Sequence, residues 1–105
     1  MDAEAGGSRL AFDGHTVTIE RTGRMARSIF GETNVTIPVD RITSVEWREP
    51  ARFSSGHIRF AVAGSQAGAE ATPVNRDPNA LLFGRGDAKA FAAIRDAVRA
   101  AAVSR

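Results

Sequence analysis

The sequence predicts a mainly β, α+β domain: about seven short antiparallel strands in a bent sheet or small barrel, capped by one C-terminal α-helix. Three observations carry this prediction. Apolar and polar residues alternate through Ile42 to Arg48 and again through His57 to Val62, a period of two that marks a sheet with one buried face. Turn signals recur at short intervals: Asp13-Gly14, Thr22-Gly23, Gly31 to Asn34, Pro50 and Ser54-Ser55-Gly56. Near the end, Phe91, Ile94, Val98 and Ala101 form a stripe at helical spacing in an Ala-rich run. Strands this short cannot bury both faces, so the helix is expected to plug the opening.

Taken in order, residues 1–7 are polar and Gly-rich and read as a flexible leader, with a single domain over 8–105. Leu10 to Phe12 and His15 to Glu20 flank Asp13-Gly14, which predicts a hairpin with a two-residue type I′ turn. That pairing sets Phe12 opposite His15 and Leu10 opposite Val17, with Leu10, Phe12, Val17 and Ile19 on one face. Arg24 to Phe30 is expected as the next strand, with Ala26 and Ser28 inward so that no Arg is buried. Val35 to Val39 is a short strand that Pro38 assigns to an edge or a bulge. Ile42 to Arg48 and His57 to Val62 are the central strands. Gly64 to Pro78 is aperiodic and read as a mobile loop. Leu81 to Phe83 is the last strand, and Asp87 caps a helix over about 87–103.

At 105 residues the chain is long enough for one core without a staple. It has no cysteine, which excludes disulfides and thiolate metal sites and fits a reducing compartment, so a cytoplasmic location is expected. The first residues lack a signal peptide's apolar segment, and no apolar run has the length of a membrane-spanning helix. The sequence pI of about 10.4 reflects 13 Arg against one Lys, while the formal net charge is only +2. The arginines are spread from Arg9 to Arg105 among acidic neighbours, unlike the concentrated stripe of a nucleic-acid binder.

Few residues stand out chemically. Arg21, Arg24 and Arg27 are the densest basic run and a candidate contact for an anionic partner, although a solvated, soluble hairpin tip explains them more simply. Asp13, His15 and His57 make a candidate rim site, should folding bring them together; neither His has a second ligand at a metal-binding spacing. No Ser elbow, Cys or paired acid and base indicates catalysis. Gly84-Arg85-Gly86-Asp87 lacks the third glycine and the βαβ setting of a dinucleotide site. No cofactor is expected. Trp47, the single Trp, is either core or an interface anchor.

Several stretches resemble one known group: Phe12-Asp13-Gly14 with Val17 and Ile19, Gly31 with Ile37-Pro38, Ile42 to Trp47, Gly56 to Phe60, and Leu82-Phe83 before the helix. Together they span residues 9 to 103 and look like the actinobacterial pleckstrin-homology-like domains, a bacterial family of unknown function. The resemblance implies the pleckstrin-homology-like fold and no activity. Phosphoinositide-binding members of that superfold carry Lys and Arg beside the loop joining their first two strands. Here that loop is Asp13-Gly14, and its neighbour holds Glu32, so specific phosphoinositide binding is not expected.

These readings favour a non-catalytic module for protein interaction or self-assembly. The alternative is a peripheral membrane adaptor that meets anionic lipid through its Arg clusters. A third reading, an enzyme or ligand carrier with a site near His15 and His57, has the least support.

Overall fold

Two glycines start the fold. The computed structural model describes residues 1–31, 34–65 and 72–103. In it Gly6 and Gly7 take φ of 56° and 76°, the paired left-handed values of a two-residue type I′ turn. That turn folds β1 (Asp2–Ala5) antiparallel onto β2 (Ser8–Phe12), with Ala5 opposite Ser8 and Ala3 opposite Leu10. The expected flexible leader is therefore corrected: its residues are mostly an edge strand. Met-Asp-Ala-Glu-Ala has no β-branched residue to signal one, and the ladder to β2 supplies what propensity does not.

The hairpin from β2 to β3 (Thr16–Arg21) forms as expected, but in a different register. Phe12 lies opposite Val17 and Leu10 opposite Ile19. The connection is longer than two residues because the Asp13 carboxylate accepts from the backbone N–H of His15 (2.8 Å) and Thr16 (2.7 Å). This Asx-type bonding favours a wider turn, and only Gly14 takes a positive φ. The slip is two residues, an even number, so Leu10, Phe12, Val17 and Ile19 still share the buried face.

The segment Arg24–Phe30 is a two-turn helix, α1, not the expected strand. A strand with Ala26 and Ser28 inward would offer the core only small side chains, whereas a helix brings Ala26 and Phe30 to one side, four residues apart. Ala26 is buried and Phe30 half-buried. β4 (Val35–Pro38) then pairs with β3 and completes a sheet of order β1-β2-β3-β4, with Pro38 on the edge strand.

A single 3-10 turn, Val39–Arg41, carries the chain into a second sheet. This sheet has the order β5-β6-β7, formed by β5 (Ile42–Arg48), β6 (Gly56–Val62) and β7 (Ala80–Phe83). Gly56 is required at the start of β6, since a Cβ there would stand 2.4 Å from the Arg48 carbonyl oxygen. Seven strands are present among the described residues, as expected, but β1 takes the place given to Arg24–Phe30. Among the described residues the two sheets stay separate, and no closed barrel forms.

The helix α2 (Ala88–Val103) closes the open side, packing on β1, β2, β5, β6 and the Val39–Arg41 turn. Phe91, Ile94 and Val98 are fully buried against Leu10, Ile19, Ile58, Phe60 and Leu81. Each large side chain so covered contributes roughly 1.5–3 kcal/mol. Trp47 belongs to this packing: its ring lies 4.9 Å from that of Phe83, which stacks on Phe91 at 4.7 Å. The Arg95 guanidinium lies over the indole, 4.4 Å from the ring centre.

The loop read as mobile between Gly64 and Pro78 lies partly outside the described residues, as do Glu32 and Thr33. Its described second half is anchored: Thr72 and Asp77 both accept from Arg59, and Val74–Arg76 is a 3-10 turn.

Candidate functional site

Where β3 ends, the backbone N–H groups of Thr22 and Gly23 both donate to the Gly7 carbonyl, at 2.7 and 2.8 Å. A Cβ on Gly23 would stand 2.9 Å from the Gly7 Cα, so bare backbone at both positions lets α1 begin against the β1–β2 turn. With Ala26 and Phe30 turned inward, Met25 and Ile29 are left on the outer side, 76% and 51% exposed. Leu82 of β7, 41% exposed, and Val74 stand across from them. Between these walls lies a cleft of about 260 Å³ with Ser8 and Arg21 in its lining.

Arg21 is the polar part of that lining and is itself buried. Its guanidinium donates to the Ser8 hydroxyl at 2.9 Å and to the carbonyls of Ala80 and Pro78 at 2.8 and 3.1 Å. It also stacks 3.9 Å from the Phe30 ring centre. Burial pulls its pKa below the ordinary arginine value, and the charge of Asp77 only partly opposes this. Arg21 therefore fastens the first sheet to the edge of the second, its charge spread over carbonyl dipoles. The basic run splits: Arg21 turns inward, while Arg24 and Arg27 lie exposed on α1. Sequence reasoning grouped the three because neighbours in a strand or turn share an environment; the helix separates them.

The second polar cluster lies on the outer face of the second sheet. Glu46 and Arg59 are cross-strand partners, and the Arg59 guanidinium donates to both Glu46 oxygens at 2.8 and 3.0 Å. His57 meets the same carboxylate through Nε2. Arg59 reaches further to the Thr72 carbonyl at 2.6 Å and to fully buried Asp77 at 3.5 Å, while its Nε has no hydrogen-bond partner among the described residues. Burial pushes the Glu46 carboxyl up, but the hydrogen bonds from Arg59 and His57 outweigh it and hold its pKa below the usual range. This cluster anchors the loop over the sheet. Asn79 adds to it by donating to the Phe60 carbonyl at 3.1 Å.

The candidate rim site is not assembled. His15 is exposed in the β2–β3 turn, and its carbonyl accepts from the backbone N–H of Val39, the first residue of the turn that leads into Ile42. Ile42 pairs with Val62, whereas His57 pairs with Arg48 at the other end of β6. The two histidines thus serve opposite ends of the second sheet, and Asp13 is committed to its own turn. Among the described residues, no group of three or more His, Asp or Glu is placed to hold a metal ion.

Sequence reasoning missed both the cleft and the Arg59 cluster. Glu46 and Arg59 alternate onto the polar face of neighbouring strands, a signal for a cross-strand pair. Met25 and Ile29, four residues apart, signal an apolar helix stripe only once the segment is known to be helical.

No curated protein and no solved structure matches the chain. A family does match, from Leu10, in the strand that carries the core face, to Arg99 in α2. The matched residues 10–99 include the cleft residues Arg21, Met25, Ile29 and Leu82, and the chain belongs to DUF4429, a domain of unknown function.

Proposed function

We propose that this domain is a non-catalytic interaction module that binds a segment of another protein in the cleft between α1 and β7. One observation carries the reading. Of the six exposed large hydrophobic residues among those described, three (Met25, Ile29 and Leu82) border this single cleft. Three exposed apolar side chains gathered at one cleft mark a contact surface. Arg24 and Arg27 on the same helix favour an acidic segment with apolar anchors. The chain order of four strands, three strands and a final helix supports a pleckstrin-homology-like reading of the fold, and the cysteine-free composition supports a cytoplasmic one.

Self-assembly through strand edges has less support. β6, which lacks Pro and a charge run, is the central strand of its sheet. On the edge strands, Arg21 occupies the Ala80 carbonyl of β7, and Arg99 donates to the Val45 carbonyl of β5 at 2.7 Å. β4 carries Pro38. The membrane reading through Arg21, Arg24 and Arg27 loses Arg21 to the interior.

Selection from a random peptide library tests the proposal. Selected peptides should share apolar anchors flanked by Asp or Glu, lose binding to Ile29→Asp and keep it for Thr43→Asp. Peptides without that pattern, or indifferent to Ile29→Asp, would overturn it.

A further inference from the structure

The connection from β5 to β6 ends in a tight turn in which Ala51 and Ser54 exchange backbone hydrogen bonds, at 2.9 and 3.5 Å. Arg52 and Phe53 stand at its apex. Phe53 is 93% exposed, more than any other large hydrophobic residue described. The Arg52 guanidinium lies 5.5 Å from the Phe53 ring centre. Arg85, in the exit from β7, lines the same shallow depression as Phe53, and exposed Arg48 ends β5 at the base of the turn. Two acids are near in sequence. Glu49 accepts from the Trp47 indole N–H at 2.9 Å, and Asp87 lies at the start of α2.

The tip is held firmly. Gly56 leaves no room beside the Arg48 carbonyl and Pro50, so the strands below the turn are pressed together. Fixing an aromatic side chain wholly in water has no benefit to folding, since Phe53 covers no core. Its chemistry is that of an amphipathic contact, a bare ring flanked by guanidinium groups.

We propose that the Arg52-Phe53 turn is a docking point for an anionic phospholipid surface. The ring enters the boundary between headgroups and acyl chains, and Arg52 and Arg85 meet lipid phosphates. Charge selects this occupant over a second copy, because two such tips carry like charges and repel. Shape selects it over a peptide, because the depression beside the turn is shallow and wide open and gives an extended chain no walls to lie between. The site is separate from the α1 cleft and does not rest on it.

Vesicle co-sedimentation tests the assignment, with phosphatidylglycerol-containing vesicles set against pure phosphatidylcholine. The unaltered chain should sediment only with the anionic vesicles and be released by salt. Phe53→Ala, and separately Arg52→Gln with Arg85→Gln, should each weaken binding by roughly tenfold. Phe53 is outside the core, so circular dichroism of Phe53→Ala should match the unaltered chain. Met25→Ser with Ile29→Ser should leave vesicle binding unchanged. Absence of sedimentation, equal binding of Phe53→Ala, or loss through the α1 variant would overturn the proposal. So would retention by an acidic protein surface that the vesicles fail to compete for.

Discussion

The two helices use their apolar residues in opposite ways. α2 spends Phe91, Ile94 and Val98 on the core, all three fully buried between the sheets. α1 buries only Ala26 and leaves Met25 and Ile29 on the surface. Their settings explain the difference. α2 is 16 residues long and lies across both sheets, so one stripe reaches many partners. α1 has seven residues, starts at Gly23 without a side-chain cap and leans on the corner where Gly7 and Arg21 meet. A helix that short is marginal by propensity and is held here by its contacts. One helix therefore completes the fold, and the other presents a surface.

The comparison breaks if truncation affects both helices alike. Ile94→Ala should destabilise the domain by about 2–5 kcal/mol, as a buried large-to-small change. Chemical denaturation measures it. A small loss there would mean that α2 does not close the core.

Arg21 joins the two regions, and its removal is the next largest effect. Arg21→Met keeps much of the stem but leaves the Ser8 hydroxyl and the Ala80 carbonyl without their partner. The expected loss is about 2–3 kcal/mol. Arg21→Lys should recover only part of it, because an ammonium does not present the same planar fork. Full recovery by Lys would reduce Arg21 to a simple charge.

Glu46→Gln probes the outer face of the second sheet, where the Arg59 cation is paired with carboxylates as well as with the Thr72 carbonyl. Glu46 is partly exposed, so solvent screens the pair and the loss near neutral pH should be about 1–2 kcal/mol. The pH dependence has a definite sign. The folded pKa of Glu46 lies below its ordinary value of 4.5, so its contribution is present above that value and fades as pH falls through the folded pKa. Glu46→Gln should flatten that acid limb, as followed by circular dichroism. An unchanged limb would assign acid sensitivity to other carboxylates, such as Asp13 or Asp2, whose pKa values are also held down.

The smallest expected effect is the most informative about α1. Met25→Ser and Ile29→Ser should each change stability by less than about 0.5 kcal/mol. Thermal or chemical melts are sufficient. A loss like that of Ile94→Ala would place α1 in the core after all.

The amino-acid pattern alone determined the elements whose information is local. β2, β3, β5 and β6 were legible because Leu10, Val17, Ile19, Val45, Ile58 and Phe60 alternate with polar neighbours. The α2 stripe was legible because Phe91, Ile94 and Val98 repeat at helical spacing. The shared face survived even where the register shifted, since a slip of two residues preserves the alternation. Tertiary structure decided the rest. β1 has almost no apolar signal and exists because β2 offers a ladder. Arg24–Phe30 fits a strand poorly and a helix adequately, and the corner formed by Gly7, Arg21 and Phe30 favours the helix. Nothing near Arg21 or Arg59 in sequence marks them for burial, because their partners lie in other strands and loops, up to 59 residues away. Periodicity reports which side of a segment prefers water. Which charges leave water is set by groups that only the folded chain brings together.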